Sequence, residues 1–409
     1  MPKKRVVVTG IGVVSSIGIG KDDFWKNLIA GKSGISDIVA FDTSNFENHK
    51  GGEVKNFNPP DFLDRKQIES MGRASQFGIA AAVLAIDDGN LKLESIQRDR
   101  IGVIMGTTMA DSQILERMDS VWLKLGEKEV NPYLIPQYAG NAISNNIGFT
   151  FGLKNLVYTI PTACSAGNYS IGYSYDRIRN GKADLMLAGG SDSFSKVAFT
   201  GFSRLFAVAH EKCQPFDKNR TGIMVGEGAG VLLLELLDHA MARKANIYAE
   251  VMGYAIACDA YHMTTPSVDG ITRTIKGAIK NSGINIDDVD YISAHGTGTL
   301  ANDKAECESV KYVFKKRYKN IPMSSIKSML GHTMGAASAI EAAACCMAIE
   351  KNVVPPTINH ETPDPECDID CVPNSAKSRN VNVALNNSSA FGGNNACLVL
   401  KKWQLRRNK

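Results

Sequence analysis

Three times in this chain a short run of β-branched and apolar residues ends in a turn of small residues that carries a cysteine or a histidine, and then passes into a helix-forming stretch. The first is Val157-Tyr158-Thr159-Ile160 followed by Pro161-Thr162-Ala163-Cys164-Ser165-Ala166-Gly167, ahead of a helical pattern through Ile171 and Ile178. Strand, tight turn and helix in that order set the sulfur at a helix N-terminus, where unpaired N–H groups and the positive dipole end favour thiolate over thiol. The second unit is Tyr291-Ile292-Ser293-Ala294-His295-Gly296-Thr297-Gly298-Thr299, and the third runs from Ser324 through Lys327, Gly331 and His332 to Ala337. Glycine-bracketed turns after strand-like runs expose an imidazole at the end of a sheet. A single cysteine is most often a small core residue. One cysteine and two histidines in matched contexts point to a shared site.

Helical and strand-like runs alternate along both halves, which is the pattern of βα units on a largely parallel sheet. In the first half these are Arg5 to Val8, Phe24 to Ala30, a helix over Ala74 to Asp87, Ile101 to Met105, the Cys164 unit, and Ala183 to Ala188. In the second they are strands at Ala249 to Ala257, Val289 to Ala294 and Ile321 to Ser324, with helices at Gly270 to Asn281, Asp303 to Lys316 and Met334 to Ile349. Val381 to Leu385 and Ala396 to Leu400, joined through Phe391-Gly392-Gly393-Asn394-Asn395, read as a closing antiparallel hairpin. A chain of 409 residues exceeds one ordinary core. Two related halves, 1–248 and 249–409, are therefore expected, with the join near Lys244 to Tyr248. In open α/β sheets reactive groups gather where strand ends converge. Gly10 and Gly12 follow the first strand, but Ser15 stands where a dinucleotide fingerprint needs its third glycine.

The formal net charge of +4 is too small to imply a nucleic-acid partner. Glycines interrupt the apolar run after Lys3-Lys4-Arg5, which argues against a signal peptide. Met334 to Ile349 is too short to span a bilayer and contains Glu341. A cytoplasmic protein is the expectation. The nine cysteines are an odd number without a C-x-x-C pair, and Cys367 with Cys371 lacks the second pair that zinc would need. Reduced thiols and no metal are expected.

With Cys164, His295, Lys327, His332 and Phe391-Gly392-Gly393 in this order, the chain resembles the β-ketoacyl-acyl-carrier-protein synthases with a Cys-His-His centre. The likeness covers nearly the whole chain, through T-A-C-S-A-G, A-H-G-T-G-T, K-S-M-L-G-H and F-G-G-N-N. It implies the thiolase fold, a duplicated α-β-α-β-α sandwich, normally dimeric, with substrates held on the phosphopantetheine of an acyl carrier protein and no bound cofactor. It further implies that Cys164 takes up the acyl chain, that the N–H groups of Cys164 and Phe391 form an oxyanion hole, and that His295 and His332 stabilise the enolate left by malonyl decarboxylation. Lys327 would tune the site, Asp303 and Glu306 would support it, and Thr297 and Thr299 would bind the pantetheine arm. Phe391 and Gly392 would form a gate, and Met109 and Ser389 would shape the acyl pocket.

Some positions depart from fatty-acid elongating members. Ser389 replaces an aromatic residue, Ala390 replaces a hinge glycine, and the segment around Met109 is bulkier and more polar. The carrier-facing basic cluster begins as Arg65-Lys66 but continues with Glu69 and Ser70. These changes touch partner and pocket while leaving the chemistry intact. They favour a specialised type II polyketide or polyene pathway, with a related chain-length factor as partner, over housekeeping elongation in a homodimer. A degradative thiolase, a starter-type condensing enzyme and a non-catalytic partner subunit are the other readings. Cys397 inside the last strand, His332 in place of an asparagine, and an intact Cys164 weigh against them in turn.

Overall fold

A computed structural model describes residues 4–404, so Lys3 of the basic opening lies outside the described residues. The first half contributes strands β1 (Val6–Ser15), β2 (Ile101–Gly106), β3 (Val157–Ile160), β4 (Leu185–Asp192) and β5 (Gly228–Leu236). The second contributes β6 (Ala249–Cys258), β7 (Tyr291–Ser293), β8 (Met323–Ser324), β9 (Val383–Ser389) and β10 (Asn394–Lys401). In space the first set is ordered β3-β2-β4-β5-β1 and the second β8-β7-β9-β10-β6. Numbered within each half, both orders read 3-2-4-5-1, and the parallel and antiparallel ladders fall at the same places. The duplication is therefore visible in topology. A short antiparallel ladder, Val6 to Val251 through Val8 to Ala249, joins the two sheets along one edge.

The sheets are mixed rather than largely parallel. In each half the first and fourth strands flank the fifth antiparallel to it, and only the second strand pairs parallel with its two neighbours. Strand β5 escapes a reading by alternation because its Gly-Ala-Gly-Val-Leu-Leu-Leu run is buried on both faces. Strand β1 also departs from expectation. Gly10 and Gly12 are not a turn but the middle of the strand, with a bulge at Thr9. They are glycines because helix α1 (Arg73–Asp88) lies directly on the strand: a Cβ at Gly12 would sit 1.8 Å from the Ala81 carbonyl oxygen.

Helices α1 and α2 (Ala142–Phe151) cover the outer face of the first sheet. Helices α4 (Val268–Ser282) and α5 (Leu300–Phe314) cover that of the second. Between the sheets pack α3 (Ala166–Arg179) and α6 (Ala337–Lys351), completing the α-β-α-β-α thiolase fold. Every residue of α6 from Ala337 to Ile349 is buried, and its alanines let helices and sheets approach closely. Each central helix follows its half's third strand, α3 directly and α6 after the short helical turn Lys327–Leu330. At both starts a non-glycine residue sits in the left-handed region, Ala163 at φ 50° and Met334 at φ 55°. Cys164 follows the first of these and Gly335 the second.

Candidate active site

The ends of β3, β7 and β8 bring Cys164, His295 and His332 to one cleft between the halves. Thr297, Thr299, Ser389 and Phe391 line the same cleft. Gly392 stands behind its wall, where its N–H donates to the Met263 carbonyl at 2.7 Å. Lys327, Asp303 and Glu306 lie beneath the floor, fully buried. Met109 does not line the cleft, contrary to expectation. Its loop is folded back onto Asp192, which accepts from the Met109 N–H at 2.9 Å and the Thr108 N–H at 2.8 Å.

The backbone N–H groups of Cys164 and Phe391 both point at the Cys164 sulfur. Both bonds favour the ionised form of the sulfur. The expected resting thiolate is not what the surroundings favour. Burial pushes the Cys164 thiol up to about 12, with Lys327 and the two N–H groups pulling in the opposite direction. Desolvation outweighs the helix end because the sulfur is buried rather than at an open helix terminus. Cys164 therefore rests as a thiol.

The two imidazoles stand edge to face, with ring centroids 5.5 Å apart and planes at 82°. They are buried rather than exposed at the sheet end, at 5% and 2%. Burial first, and then the Lys327 charge, holds both well below the ordinary histidine range, with His332 adding to the effect on His295. Both are neutral near pH 7. The Met334 N–H donates to His332 Nδ1 at 3.1 Å, so the ring proton sits on Nε2, which has no partner among the described residues.

Lys327 Nζ donates to the His295 carbonyl at 2.7 Å and to the buried Glu341 carboxylate. Glu306 accepts the N–H groups of His295 at 2.8 Å and Gly296 at 2.9 Å. Asp303 accepts those of Thr297 at 3.0 Å and Phe216 at 2.9 Å. These two carboxylates shape the turn that carries His295, and the hydroxyls of Thr297 and Thr299 meet at 2.9 Å on its cleft side. The Phe391 ring leans on Phe202, centroids 5.8 Å apart, and is 39% exposed at the mouth. Cys397 is buried inside β10 and does not line the cleft.

Several participants escaped sequence reasoning. Glu341 read only as an interruption of an apolar run, although a lone acid inside such a run demands a buried partner. The loop Asp259 to Pro266, which forms one wall of the cleft, sits after the C-terminal end of β6 and ends on the turn signal Pro266, just before Ser267 caps α4. Asp192, at the end of β4, gave no local signal because its partners are 83 to 143 residues away.

The sequence profile described as Beta-ketoacyl synthase, N-terminal domain, matches residues 3–240, and that described as Beta-ketoacyl synthase, C-terminal domain, matches 248–361. The chain belongs to the β-ketoacyl synthase family. It is an acyltransferase that forms carbon–carbon bonds. It is 42% identical over 413 aligned residues, 99% of each chain, to a 3-oxoacyl-[acyl-carrier-protein] synthase 2 of Synechocystis sp.. Among solved structures it is similar to the ishigamide ketosynthase/chain length factor, with a TM-score of 0.94 and 43% identity over 98% of this chain and 100% of that one. It is also similar to a type II polyketide ketosynthase, bound to the hexaketide and solved with its acyl-carrier protein, at a TM-score of 0.89 and 35% identity over 98% and 100%.

Proposed function

We propose that this ketosynthase takes an acyl chain from an acyl carrier protein onto Cys164 and extends it with a malonyl unit delivered on the same kind of carrier. The observation that supports this most is the single cleft in which a thiol with two N–H groups on its sulfur faces two neutral imidazoles. In this reading the nucleophile belongs to the half 1–248 and both histidines to the half 249–409. Cys164 Sγ attacks the acyl thioester, its proton leaves with the pantetheine thiol, and the N–H groups of Cys164 and Phe391 hold the oxyanion. Malonyl thioester then loses CO2. His332 Nε2–H and His295 donate to the enolate oxygen, and the enolate carbon attacks the acyl group to release Cys164. Thr297 and Thr299 hold the pantetheine arm, and Phe391 with Gly392 gates the cleft. Lys327, Glu306 and Asp303 act by holding His295 and its turn. Ser389 and Met109 belong to acyl selection, Met109 only after its loop moves.

We place the enzyme in a specialised type II polyketide or polyene pathway, working in the cytoplasm beside a chain-length factor. Support comes from the likeness to the ishigamide ketosynthase/chain length factor and from Ser389, Ala390 and Glu69. The name of the Synechocystis relative favours a second reading, fatty-acid elongation by a homodimer. Purification from the native host with acyl-carrier and malonyl-carrier assays separates them. The first reading expects a co-purifying homologous chain and repeated extension of unsaturated or keto-bearing acyl chains. A homodimer that extends saturated acyl chains supports the second. Absence of CO2 release and of any ketoacyl product would overturn both.

A further inference from the structure

Asp192 is fully buried, yet four donors converge on its carboxylate. Oδ1 accepts from the Thr107 hydroxyl at 2.6 Å and the Met109 N–H at 2.9 Å. Oδ2 accepts from the Thr108 N–H at 2.8 Å and the Gly335 N–H at 2.6 Å. Three of these are backbone N–H groups that cannot accept in return, so the carboxyl must serve as their acceptor. Burial lifts the group to about 6, which leaves it ionised at neutral pH.

The Gly335 bond is the one that crosses between halves. Asp192 ends β4 of the first half, and Gly335 lies three residues after His332 in the second. The intervening Met334 is held in the left-handed region at φ 55°, which is costly for a long side chain and persists only when its neighbours enforce it. The backbone beside it has no slack: a Cβ at Gly335 would lie 2.5 Å from both Thr107 Cα and its carbonyl carbon. Two consecutive N–H groups are thus fixed together, that of Met334 on His332 Nδ1 and that of Gly335 on Asp192. We propose that Asp192 is a positioning residue of the condensation: by anchoring Gly335 it keeps the Met334 N–H on His332 Nδ1, and so keeps the ring proton on Nε2, toward the cleft. The catalytic part rests on the ketosynthase reading above, while the tautomer part stands apart from it.

Both parts are measurable. In protein labelled with ¹⁵N-histidine, the His332 signals, assigned by their loss in His332→Asn, should show an unprotonated Nδ1 and a protonated Nε2 in the parent enzyme. A protonated Nδ1 there would overturn the proposal without any other variant being needed. In Asp192→Asn the Nε2–H tautomer should cease to be the sole form. The kcat for malonyl-carrier decarboxylation should fall at least about tenfold, toward the ~10²-fold typical of losing one oxyanion donor, with KM within about twofold. Unchanged tautomer and unchanged kcat in a folded Asp192→Asn would overturn it. If the parent enzyme proves inactive with every carrier tested, the ketosynthase reading fails, and the ¹⁵N signals still decide the tautomer.

Discussion

Lys327 Nζ hydrogen-bonds the carbonyl oxygen of His295 at 2.7 Å while paired with Glu341, and both side chains of the pair are only 2% exposed. One buried ammonium therefore fixes the backbone of one histidine and, through its charge, lowers the proton affinity of both. The Lys327 charge thus adds to burial, the larger cause, in keeping the two imidazoles neutral.

Breaking this pair should separate stability from chemistry. Lys327→Met leaves Glu341 buried without its cation, and should cost about 3–5 kcal/mol. Lys327→Met combined with Glu341→Leu should regain most of that stability but not the decarboxylation activity. Denaturant unfolding and a CO2-release assay on the same samples test this. Recovery of activity in the double variant would show that the charge is dispensable.

The buried thiol predicts a pH profile. With Cys164 near 12, its alkylation by iodoacetamide should rise about tenfold per pH unit from pH 7 to 10 without levelling. A plateau near pH 8 would mean that the resting thiolate is already formed.

Glu306 supplies a linkage test. Burial, opposed by the Gly296 and His295 N–H groups, raises it to about 7 from an unfolded value of 4.5. An acid raised on folding favours the protonated native state, so its ionisation removes stability as pH climbs from 4.5 through 7. Glu306→Gln loses an N–H acceptor at every pH but escapes that ionisation. Relative to the parent, the variant should therefore be more stable at pH 8 than at pH 5 by about 3 kcal/mol. Urea unfolding at both pH values measures the difference, and an equal effect at both would contradict it.

The closeness of α1 to β1 can be tested by one methyl group. Gly12→Ala would force a Cβ to within 1.8 Å of the Ala81 carbonyl oxygen, where backbone on both sides cannot yield cheaply. A loss of about 3 kcal/mol or more is expected, read as a lower denaturant midpoint with unchanged slope. A neutral substitution would mean that helix and strand are not in contact.

What was legible beforehand follows from how local each signal is. The Cys164, His295 and His332 turns announce themselves because strand, small-residue turn and helix adjoin in sequence, and the closing hairpin does so for the same reason. The duplication was readable as repeated units, but not the antiparallel place of β1 beside β5, a pairing set 226 residues apart by Thr9 and Glu235 among others. Gly10 and Gly12 misled because a glycine admitted for close packing looks like a glycine admitted for a turn. Glu341 and Asp192 were missed because a buried carboxylate is defined by donors brought in from elsewhere in the chain. The helix-end argument for a thiolate failed because sequence shows the helix but not the desolvation.

The central claim is that Cys164 is the acyl acceptor of a site shared with His295 and His332. Incubation with an acyl-carrier donor, followed by intact-mass measurement and peptide mapping, tests it most directly. The account predicts a gain of one acyl group on the peptide containing Cys164, absent in Cys164→Ala. No gain with any chain length, or an acyl group on another cysteine such as Cys213 or Cys258, would contradict it.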